Sequence, residues 1–559
     1  MTQVLLRRSA GRSPDAISFR NLLAAAIRNV GLLLVAAVLF ALAFPNPVFR
    51  FGWAPASILS LIPIGVAVNR MRGWATPLHG LLFGFAAYAL YNFWLAQFHP
   101  LAIFIVPTIY AVYFLLVMPA LYLADRGLGR WAWLGQAAVW LAYEYLRTTG
   151  FLGYSYGILG YAYAFRPYWI QTASFGGVWI VSAMVVVPGF YAAYVLRQAQ
   201  PWSAGADWAR VLAATLRKRP TGAILTVLMW GFAAVWGVLS PVDYSQARTW
   251  RVALVQQNVD PWLGGTSAYR ASLDVLLRES RTALERDDPE VVIWSETSFV
   301  PSINFHTQYR QDQERFEMVR ELLGFVDEID VPLILGNSDA RLVQNAQGRP
   351  ERVDYNAVLT YNRDGSLQGV YRKQHLVPFT EHFPYERQLP WLHQLLIENN
   401  TNFWGQGDEA TIFELDGIRY ATPICFEDTF GYLSRDFVNA GADVLINLTN
   451  DLWAKFEEAA MQHMGMAVFR TVENRRSMAR STNGGMTAII DPNGRILDMY
   501  PSFVEGYLVG ELPIYTETET AYTRHGDWLA FVFVAAGSIA VVIAIIRLVL
   551  ARVGRLTKA

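Results

Sequence analysis

The stretch ATPICFEDTF contains Cys425, the only cysteine among 559 residues. The apolar residues before it predict a buried strand, so the thiol is expected where this strand ends and the chain turns. A nucleophile at such a turn is exposed at the sheet edge, where backbone amides can stabilise an oxyanion. A lone cysteine has a second interpretation, a buried and unreactive side chain or an intermolecular link. Nucleophilic attack by Cys425 therefore requires chemical partners elsewhere in the chain.

A cysteine that attacks a carbonyl needs a base or a nearby cation, and two other predicted strand ends supply them. Glu296 follows the apolar run VVIW, and Lys373 follows GVYR, with Glu381 eight residues further on. A carboxylate can act as a general base, and a lysine can stabilise an oxyanion. Each residue alone is also typical of a solvated strand end, so the argument depends on their combination.

The three candidates lie in a segment of mixed polarity, residues 249–513. Alternating runs such as RVALVQQNV and turn signals such as NRDG and DPNG predict strands joined by hairpins and crossovers. The flanking sequence is far more apolar, and hydrophobic residues make up 53% of the chain against 16% charged residues. A membrane protein with one inserted α/β domain is therefore predicted.

Runs of about 20 apolar residues can cross the hydrocarbon core of a membrane. The sequence predicts eight such spans, at 29–48, 52–69, 77–96, 102–124, 131–147, 168–196, 221–240 and 527–547. We therefore divide the chain into an N-terminal segment (1–28), a bundle of seven spans (29–240), the domain (249–513), a final membrane helix (527–547) and a C-terminal tail (548–559).

The distribution of basic residues predicts the orientation of the spans, because Lys and Arg collect on the cytoplasmic side. They cluster in the N-terminal segment, in the connections after the second, fourth and sixth spans, and in the tail. Both termini are therefore expected to be cytoplasmic, with the domain on the outer side. The run that ends at Ala41–Ala43 also resembles a signal-peptide cleavage site, and its removal would leave the later spans oriented as before. The net charge of zero gives no field that favours nucleic acid.

Two features of the predicted bundle differ from its apolar background. Glu144 lies in WLAYEYLRTTG, where an ionisable residue indicates either a functional site or a local pair with Arg147. The following run, GFLGYSYGILGYAYAF, contains Tyr154 and is aromatic and glycine-rich without helical periodicity. Such a run is typical of a re-entrant or interfacial segment, or of a loop in an aromatic belt.

The order Glu296, Lys373, Cys425 at successive strand ends resembles the nitrilase superfamily, whose catalytic triad is Glu, Lys and Cys. The resemblance covers 249–513 through the motifs VALVQQNV, WSET, YRKQHLVPFTE, PICFED, NLTNDLW, QHMGMAVFRTVENRR and STNGGMTAIIDPNG. With the flanking spans and EYLRTTGFLG, the chain is similar to one membrane branch of that superfamily, the apolipoprotein N-acyltransferases. This resemblance implies an α-β-β-α sandwich domain on a bundle of eight transmembrane helices.

The resemblance also implies roles for individual residues. Glu296 would be the general base, Lys373 the cation at the oxyanion and Cys425 the nucleophile, with Glu381 supporting Lys373 and Glu427 ordering the site. Further candidates for substrate binding or for support of the site are Tyr355, Asn356, Phe426, Asn447, Asn450, Asn483, Glu144 and Tyr154. For the asparagines, hydrogen bonding in turns is the alternative. Gln462 and His463 match a similar pair in the family, and His463 is expected to be structural.

Three positions depart from the usual family pattern. Ser295 and Thr380 replace a common proline and a common glycine, and Phe426 replaces a common tyrosine after the nucleophile. None of these changes alters the triad. They affect the loop near Lys373 and remove one hydroxyl group next to Cys425.

The reaction implied by the resemblance needs no cofactor and no metal. Its acyl donor is a membrane phospholipid, usually phosphatidylethanolamine, and its acceptor is the free amino group of the diacylglyceryl-cysteine of apolipoproteins. The expected location is the bacterial inner membrane, with the domain on the periplasmic side, and a monomer would suffice. One alternative is a membrane-tethered amidase or nitrile hydrolase, against which eight spans argue. Another is a non-enzymatic membrane scaffold or transporter, against which the complete triad argues.

Overall fold

The computed structural model describes residues 19–98, 102–198, 208–260, 263–344, 348–398 and 403–556. A helical bundle comes first, an α/β domain follows, and one long apolar helix ends the described chain. The N-terminal arginines at positions 7, 8 and 12 lie outside the described residues. The predicted fold class, a membrane helical bundle joined to an α/β domain with two sheets, is confirmed.

The bundle is built from apolar helices with short connections. Two of them, α2 and α7, begin at proline, which suits the first turn of a helix because an N–H group there would have no partner within the helix. The helices are α1 (Phe19–Ala43), α2 (Pro55–Arg70), α3 (Thr76–Tyr91), α4 (Leu95–Phe98), α5 (Ala102–Gly127), α6 (Ala132–Leu146), α7 (Pro167–Ile170), α8 (Ala173–Gln198), α9 (Trp208–Lys218) and α10 (Thr221–Leu239).

The helices at the eight predicted spans differ in length, and only some are long enough to cross a membrane. Within the described residues, five helical stretches are long and apolar enough to cross a membrane: Ala26–Ala43, Ala102–Gly127, Ala173–Gln198, Thr221–Leu239 and Trp528–Gly554. The predicted spans at 52–69, 77–96 and 131–147 form α2, α3 and α6, which have 16, 16 and 15 residues. These three helices are shorter than the predicted spans, because turns or 3₁₀ segments take up the ends of the apolar runs.

The domain contains two six-stranded sheets. Their orders are β12-β1-β2-β3-β4-β5 and β11-β10-β9-β8-β7-β6, with parallel pairing among β1, β2 and β3 and among β7, β8 and β9. The strands are β1 (Thr249–Gln256), β2 (Val291–Trp294), β3 (Leu333–Gln344), β4 (Pro350–Tyr361), β5 (Leu367–Arg372), β6 (Phe413–Leu415), β7 (Ile418–Ala421), β8 (Val444–Thr449), β9 (Met478–Thr482), β10 (Ala488–Ile490), β11 (Ile496–Met499) and β12 (Gly506–Pro513).

The sheets pack face to face, and helices cover their outer faces. Between the sheets, the Tyr420 hydroxyl donates to Thr360 at 3.0 Å, and the rings of Trp250 and Tyr420 lie 5.6 Å apart. The strand β2 is buried along its whole length, as expected for a parallel strand covered on both faces. The remaining helices of the described chain are α11 (Thr266–Asp287), α12 (Ile303–Tyr309), α13 (Gln313–Glu328), α14 (Pro390–Glu398), α15 (Gly431–Asn439), α16 (Glu457–Asn474), α17 (Ala521–His525) and the final α18 (Trp528–Leu556). Helix α18 packs on the bundle helices α5, α6 and α8.

Helix α16 joins the domain to the bundle. Its Gln462 accepts a hydrogen bond from Trp94 Nε1 at 3.0 Å and donates to the carbonyls of Pro45 and Tyr91 at 3.0 and 3.3 Å. The aromatic run after α6 packs on the same helix, and the Tyr161 ring lies 5.0 Å from an α16 phenylalanine. The bundle therefore supports α16, which in turn lies next to the strand ends that carry the triad candidates.

Candidate active site

The three triad candidates converge at neighbouring strand ends. Glu296 lies two residues after β2, Lys373 directly follows β5, and Cys425 lies four residues after β7. Lys373 Nζ donates to Glu296 Oε1 at 3.3 Å. Burial and then the Glu296 carboxylate raise the pKa of the Cys425 thiol well above its ordinary value, against the opposing effect of the Lys373 ammonium. The free thiol is therefore protonated at neutral pH, and attack requires a base.

The turn at Cys425 holds the thiol in an unusual backbone conformation. Its φ of 50° lies in the left-handed region, which is strained for a residue with a side chain. The preceding Ile424 forms an isolated parallel bridge with Leu448 of β8, and a 3₁₀ turn runs from Cys425 to Thr429. The sheet therefore fixes the residue before Cys425, which is itself partly buried.

Glu296 has one engaged oxygen and one without a partner. Oε1 accepts hydrogen bonds from Asn356 Nδ2 at 2.8 Å and from Lys373 Nζ at 3.3 Å. Oε2 is buried and accepts no hydrogen bond from any described residue. A buried acceptor without a partner is costly unless a ligand or reacting group uses it. Glu296 is thus suited to accept a proton in the site.

Lys373 is fully buried between two carboxylates. Its Nζ donates to Glu381 Oε1 at 2.9 Å as well as to Glu296. Burial lowers the pKa of this ammonium, but Glu381 and Glu296 outweigh burial and raise the pKa above its ordinary value. Because an ammonium has three N–H groups, one remains for an oxyanion. Glu381 Oε2 also accepts the Val377 N–H at 2.8 Å, which fixes the loop after Lys373.

Glu427 connects the Cys425 turn to the Lys373 loop. Its buried carboxylate accepts the N–H groups of Ile424 at 2.7 Å, Gln374 at 2.7 Å and His375 at 3.0 Å. The Tyr371 hydroxyl donates to the same carboxylate at 2.9 Å. Burial raises the pKa of Glu427, and the backbone donors oppose this effect. Glu427 therefore holds the chain segments before Cys425 and after Lys373 at a fixed distance.

The asparagines predicted from the sequence lie at different distances from the triad, and only one of them contacts it directly. Asn356 contacts the triad through Glu296 Oε1. Asn447 donates to the carbonyl of Pro423 at 3.1 Å and thereby supports the strand end before Cys425. Asn450 Oδ1 accepts from Leu452 N at 3.2 Å and from Asn483 Nδ2 at 3.3 Å, which are contacts within and between turns.

Tyr355 and Phe426 pack against different aromatic or cationic neighbours. The Arg372 guanidinium lies 5.1 Å from the Tyr355 ring centre, so Tyr355 packs on a strand neighbour and not on the triad. The Phe426 ring lies 5.0 Å from Phe430 and 5.8 Å from His375. Phe426 therefore belongs to an aromatic wall beside the Cys425 turn.

Glu144 and Tyr154 lie in the bundle, outside the triad. Glu144 accepts hydrogen bonds from Trp140 Nε1 at 3.1 Å, from Leu159 N at 2.9 Å and from the Ser182 hydroxyl. The alternative pair of Glu144 with Arg147 is not formed, since Arg147 donates to the Tyr154 carbonyl at 2.7 Å. The hydrogen bonds from Leu159 to Glu144 and from Arg147 to Tyr154 attach the aromatic run 148–166 to the bundle. The Tyr154 hydroxyl adds a hydrogen bond of 2.9 Å to an asparagine at the end of α3.

Sequence reasoning named His463 as a structural residue but missed the buried charge cluster that it forms beneath the Cys425 turn. His463 Nε2 contacts Asp428 and Nδ1 contacts Asp451, both at 2.8 Å, and Arg480 Nη1 donates to Asp451 at 2.9 Å. Burial lowers the pKa of His463, but Asp428 and Asp451 outweigh burial and raise it to about 9. The sequence signals for its partners were the acids in the motifs CFED and TNDLW. His463 thus holds the end of the Cys425 turn as a cation.

The described residues contain no group of three His, Cys, Asp or Glu side chains arranged to hold a metal ion. The carboxylates of Glu296 and Glu381, the ammonium of Lys373 and the thiol of Cys425 are the reactive groups of this site. Together they can activate a thiol, bind an oxyanion and pass a proton.

Comparisons with known proteins cover nearly the whole chain. The carbon-nitrogen hydrolase family matches residues 251–522, and the apolipoprotein N-acyltransferase N-terminal domain matches residues 36–191. Apolipoprotein N-acyltransferase 1 of Treponema denticola is 38% identical over 517 residues, which cover 89% of this chain and 93% of that protein. The protein of the same name from Treponema pallidum is 39% identical over 520 residues, covering 90% and 93%.

Among solved structures, an amidase from Nesterenkonia sp. is 18% identical and covers 50% of this chain and 94% of its own, with a TM-score of 0.35. The family assignment depends on the two full-length relatives, because both exceed a third identity over nearly their entire lengths. The chain therefore belongs to the apolipoprotein N-acyltransferase family.

Proposed function

We propose that this enzyme transfers an acyl chain from a membrane phospholipid to the N-terminal amino group of the diacylglyceryl-cysteine of apolipoproteins. The observation that carries the proposal is the partnerless Glu296 Oε2 beside a buried Lys373 and the strained Cys425 turn. Such a set suits acyl transfer through a thioester, and relatives named apolipoprotein N-acyltransferase match the chain over nearly its full length.

The first step forms the thioester. Glu296 Oε2 takes the thiol proton as Cys425 Sγ attacks the ester carbonyl of the phospholipid. The oxyanion is stabilised by the remaining N–H of Lys373, which is already oriented by Glu381. When the intermediate collapses, the C–O bond to the glycerol breaks and the leaving alkoxide takes the proton from Glu296. The products are lysophospholipid and an acyl group on Cys425.

The second step consumes the thioester. The neutral amine of the apolipoprotein attacks the thioester carbonyl, Lys373 again stabilises the oxyanion, and Glu296 accepts the amine proton. The C–S bond then breaks, and the thiolate regains a proton from Glu296. The amide is more stable than the thioester, so the reaction needs no ATP.

Lipid access is supported by aromatic residues on both sides of the site. Phe151, in the run after α6, lies 5.4 Å from Phe379 and 5.5 Å from Tyr385, measured between ring centres. Helix α14 exposes 66% of Trp391 and 47% of Leu395. Exposed apolar side chains next to a membrane bundle suit contact with acyl chains. We assign these two segments, 148–166 and 383–398, to the rim of the lipid path.

The membrane arrangement follows from the charge distribution. We assign the enzyme to the bacterial inner membrane, with the catalytic domain (249–513) on the periplasmic side and both termini in the cytoplasm, because basic residues cluster in alternate connections. A monomer suffices, since two lipid substrates can reach one site by lateral diffusion. We assign phosphatidylethanolamine as the main donor.

Intact mass measurement tests the proposal. The purified protein is incubated with a phosphatidylethanolamine of defined acyl chains, and the parent is compared with Cys425→Ser and Glu296→Gln. We expect one added acyl chain on the parent that a diacylglyceryl peptide with a free amine removes. Neither variant should form this thioester, whereas the exposed-acid control Glu351→Gln should. Discharge by water alone would establish the hydrolase alternative, and absence of any adduct on the parent would refute the proposal.

A further inference from the structure

Thr449 is the last residue of strand β8 and lies next to the Cys425 turn. The residues before these two, Leu448 and Ile424, form an isolated parallel bridge. Leu448 N also donates to the Pro423 carbonyl at 3.3 Å, which extends this pairing. Because Thr449 and Cys425 each directly follow one member of the bridged pair, they lie side by side at the same sheet edge. The end of β8 therefore brings a hydroxyl group to the thiol.

The Thr449 hydroxyl has an unused donor. The residue is fully buried, and its Oγ1 makes no hydrogen bond of good geometry with any described residue. Its neighbour in register on β9, Thr482, differs, because that hydroxyl donates to Gln256 Oε1 at 3.1 Å. A buried hydroxyl without a partner costs free energy unless a ligand or a reacting group uses it. Thr449 is thus free to donate to an acceptor that appears during the reaction.

The sulfur of Cys425 is an acceptor within reach of this hydroxyl. Burial and the Glu296 carboxylate raise the pKa of the Cys425 thiol, whereas the Lys373 ammonium and hydrogen bonding by the Thr449 hydroxyl lower it. Hydrogen bonds to a charged acceptor are about twice as strong as those between neutral groups. The contact between Thr449 and Cys425 therefore becomes stronger when the thiol loses its proton.

Charged or titratable groups from several parts of the chain also interact with the thiol. These groups are Glu296, Lys373, Asp451, Arg480 and Tyr156. Glu296 and Asp451 disfavour the thiolate, and Lys373 favours it. Thr449 differs from all of them because its hydroxyl carries no net charge. A substitution that removes the Thr449 hydroxyl therefore leaves these charges in place and isolates the contribution of one hydrogen bond.

We propose that the Thr449 hydroxyl donates a hydrogen bond to the Cys425 thiolate and thereby stabilises the sulfur anion in both steps of acyl transfer. The inference rests on the proposed function, because it takes Cys425 as the nucleophile. In the first step, Glu296 accepts the thiol proton, and the hydroxyl keeps its own proton while it donates to Sγ. In the second step, the C–S bond breaks, its electron pair returns to Sγ, and the same hydroxyl donates again. A neutral thioester sulfur is a weak acceptor, so the hydroxyl favours the charged states over the acylated one.

The test follows alkylation of the purified protein by iodoacetamide between about pH 6 and pH 10, with intact mass recorded against time. Thr449→Val removes the hydroxyl and keeps the shape of the side chain. Loss of a hydrogen bond to a charged group shifts an equilibrium about tenfold, and the greater nucleophilicity of a more basic thiolate recovers part of this factor. We therefore expect Thr449→Val to react about threefold more slowly near pH 7, with its pH profile moved to higher pH. Thr449→Ser retains a hydroxyl and should restore the rate and the profile of the parent.

Thr422→Val is the matched control. Thr422 is also fully buried, and its Oγ1 likewise makes no hydrogen bond within the described chain, but the residue lies before the bridge that Ile424 forms with Leu448. Thr422→Val should therefore keep the parent's alkylation profile. If Thr449→Val does not fold, Thr449→Ala removes the same hydroxyl and serves in the same comparison.

Thioester formation from phosphatidylethanolamine provides a second measurement. Thr449→Val should lower the maximal rate by a similar factor and leave the half-saturating lipid concentration unchanged, because the hydroxyl contacts the sulfur. An unchanged alkylation profile of Thr449→Val, or equal shifts in Thr449→Val and Thr422→Val, would overturn the inference. Slower thioester formation with an unchanged alkylation profile would also overturn it, because the hydroxyl would then act on the substrate. Alkylation needs no lipid, so a parent protein that is alkylated but never acylated would refute the proposed function separately.

Discussion

Replacing Glu427 by glutamine tests whether one carboxylate sets the distance between nucleophile and cation. Oε2 accepts the Ile424 N–H at 2.7 Å, and Oε1 accepts those of Gln374 at 2.7 Å and His375 at 3.0 Å. Glutamine has one acceptor oxygen and one donor NH₂ group. In either orientation, the NH₂ group faces at least one backbone N–H that loses its acceptor.

The expected loss follows from these contacts. A buried N–H without an acceptor costs about 1–3 kcal/mol, and a hydrogen bond to a charged group contributes about 1.5–3 kcal/mol. Because glutamine also removes the cost of burying a charge, we expect Glu427→Gln to lower the free energy of unfolding by about 2–4 kcal/mol. A shift of the Lys373 loop that weakens oxyanion binding by about 1.4 kcal/mol slows thioester formation about tenfold.

Two measurements on the same preparation check this expectation. Denaturant unfolding in detergent gives the stability, and intact mass after short incubation with phospholipid gives the rate of thioester formation. The control Glu414→Gln changes an exposed acid on β6 and should alter the free energy of unfolding by less than about 0.5 kcal/mol. If Glu427→Gln were as stable and as fast as the parent, Glu427 would not hold the two loops together.

Two further predictions concern the groups that support the triad. His463 has a pKa of about 9 in the folded chain against an ordinary 6.5, so its stabilising contribution is complete below pH 6.5 and is lost as pH rises through about 9. We expect His463→Gln to lower the free energy of unfolding by about 3 kcal/mol near pH 6 and by progressively less towards pH 9, as measured by denaturant unfolding. A stability difference between variant and parent that does not vary with pH would contradict this prediction. A Cβ on Gly336 would lie 2.4 Å from the Ser295 carbonyl oxygen and 2.8 Å from Glu296 Cα. Gly336→Ala should therefore slow thioester formation at least about tenfold. The control Gly324→Ala, whose added Cβ meets no atom within 4 Å, should not slow it. Equal rates for the two variants would contradict the prediction and show that the backbone at Glu296 adapts.

The sequence by itself predicted many of the elements and the residues that could carry chemistry. Long apolar runs predicted the membrane helices, because the thickness of a bilayer requires a minimum length of apolar sequence. The strand-end positions of Glu296, Lys373 and Cys425 could be predicted because a strand and its termination depend on neighbouring residues. Glu381 and Asn356, which the resemblance to the family pointed out, contact Lys373 and Glu296 respectively.

Other features depended on contacts between distant parts of the chain. Glu427 bonds to residues more than 50 positions away, and the partners of His463 lie in three separate segments of the chain. Tyr355 occupies the same strand as Asn356 but packs on Arg372, because successive side chains of a strand point to opposite faces. Only the tertiary structure decided these partners, because burial and charge pairing depend on how sheets and helices pack, which no local pattern specifies.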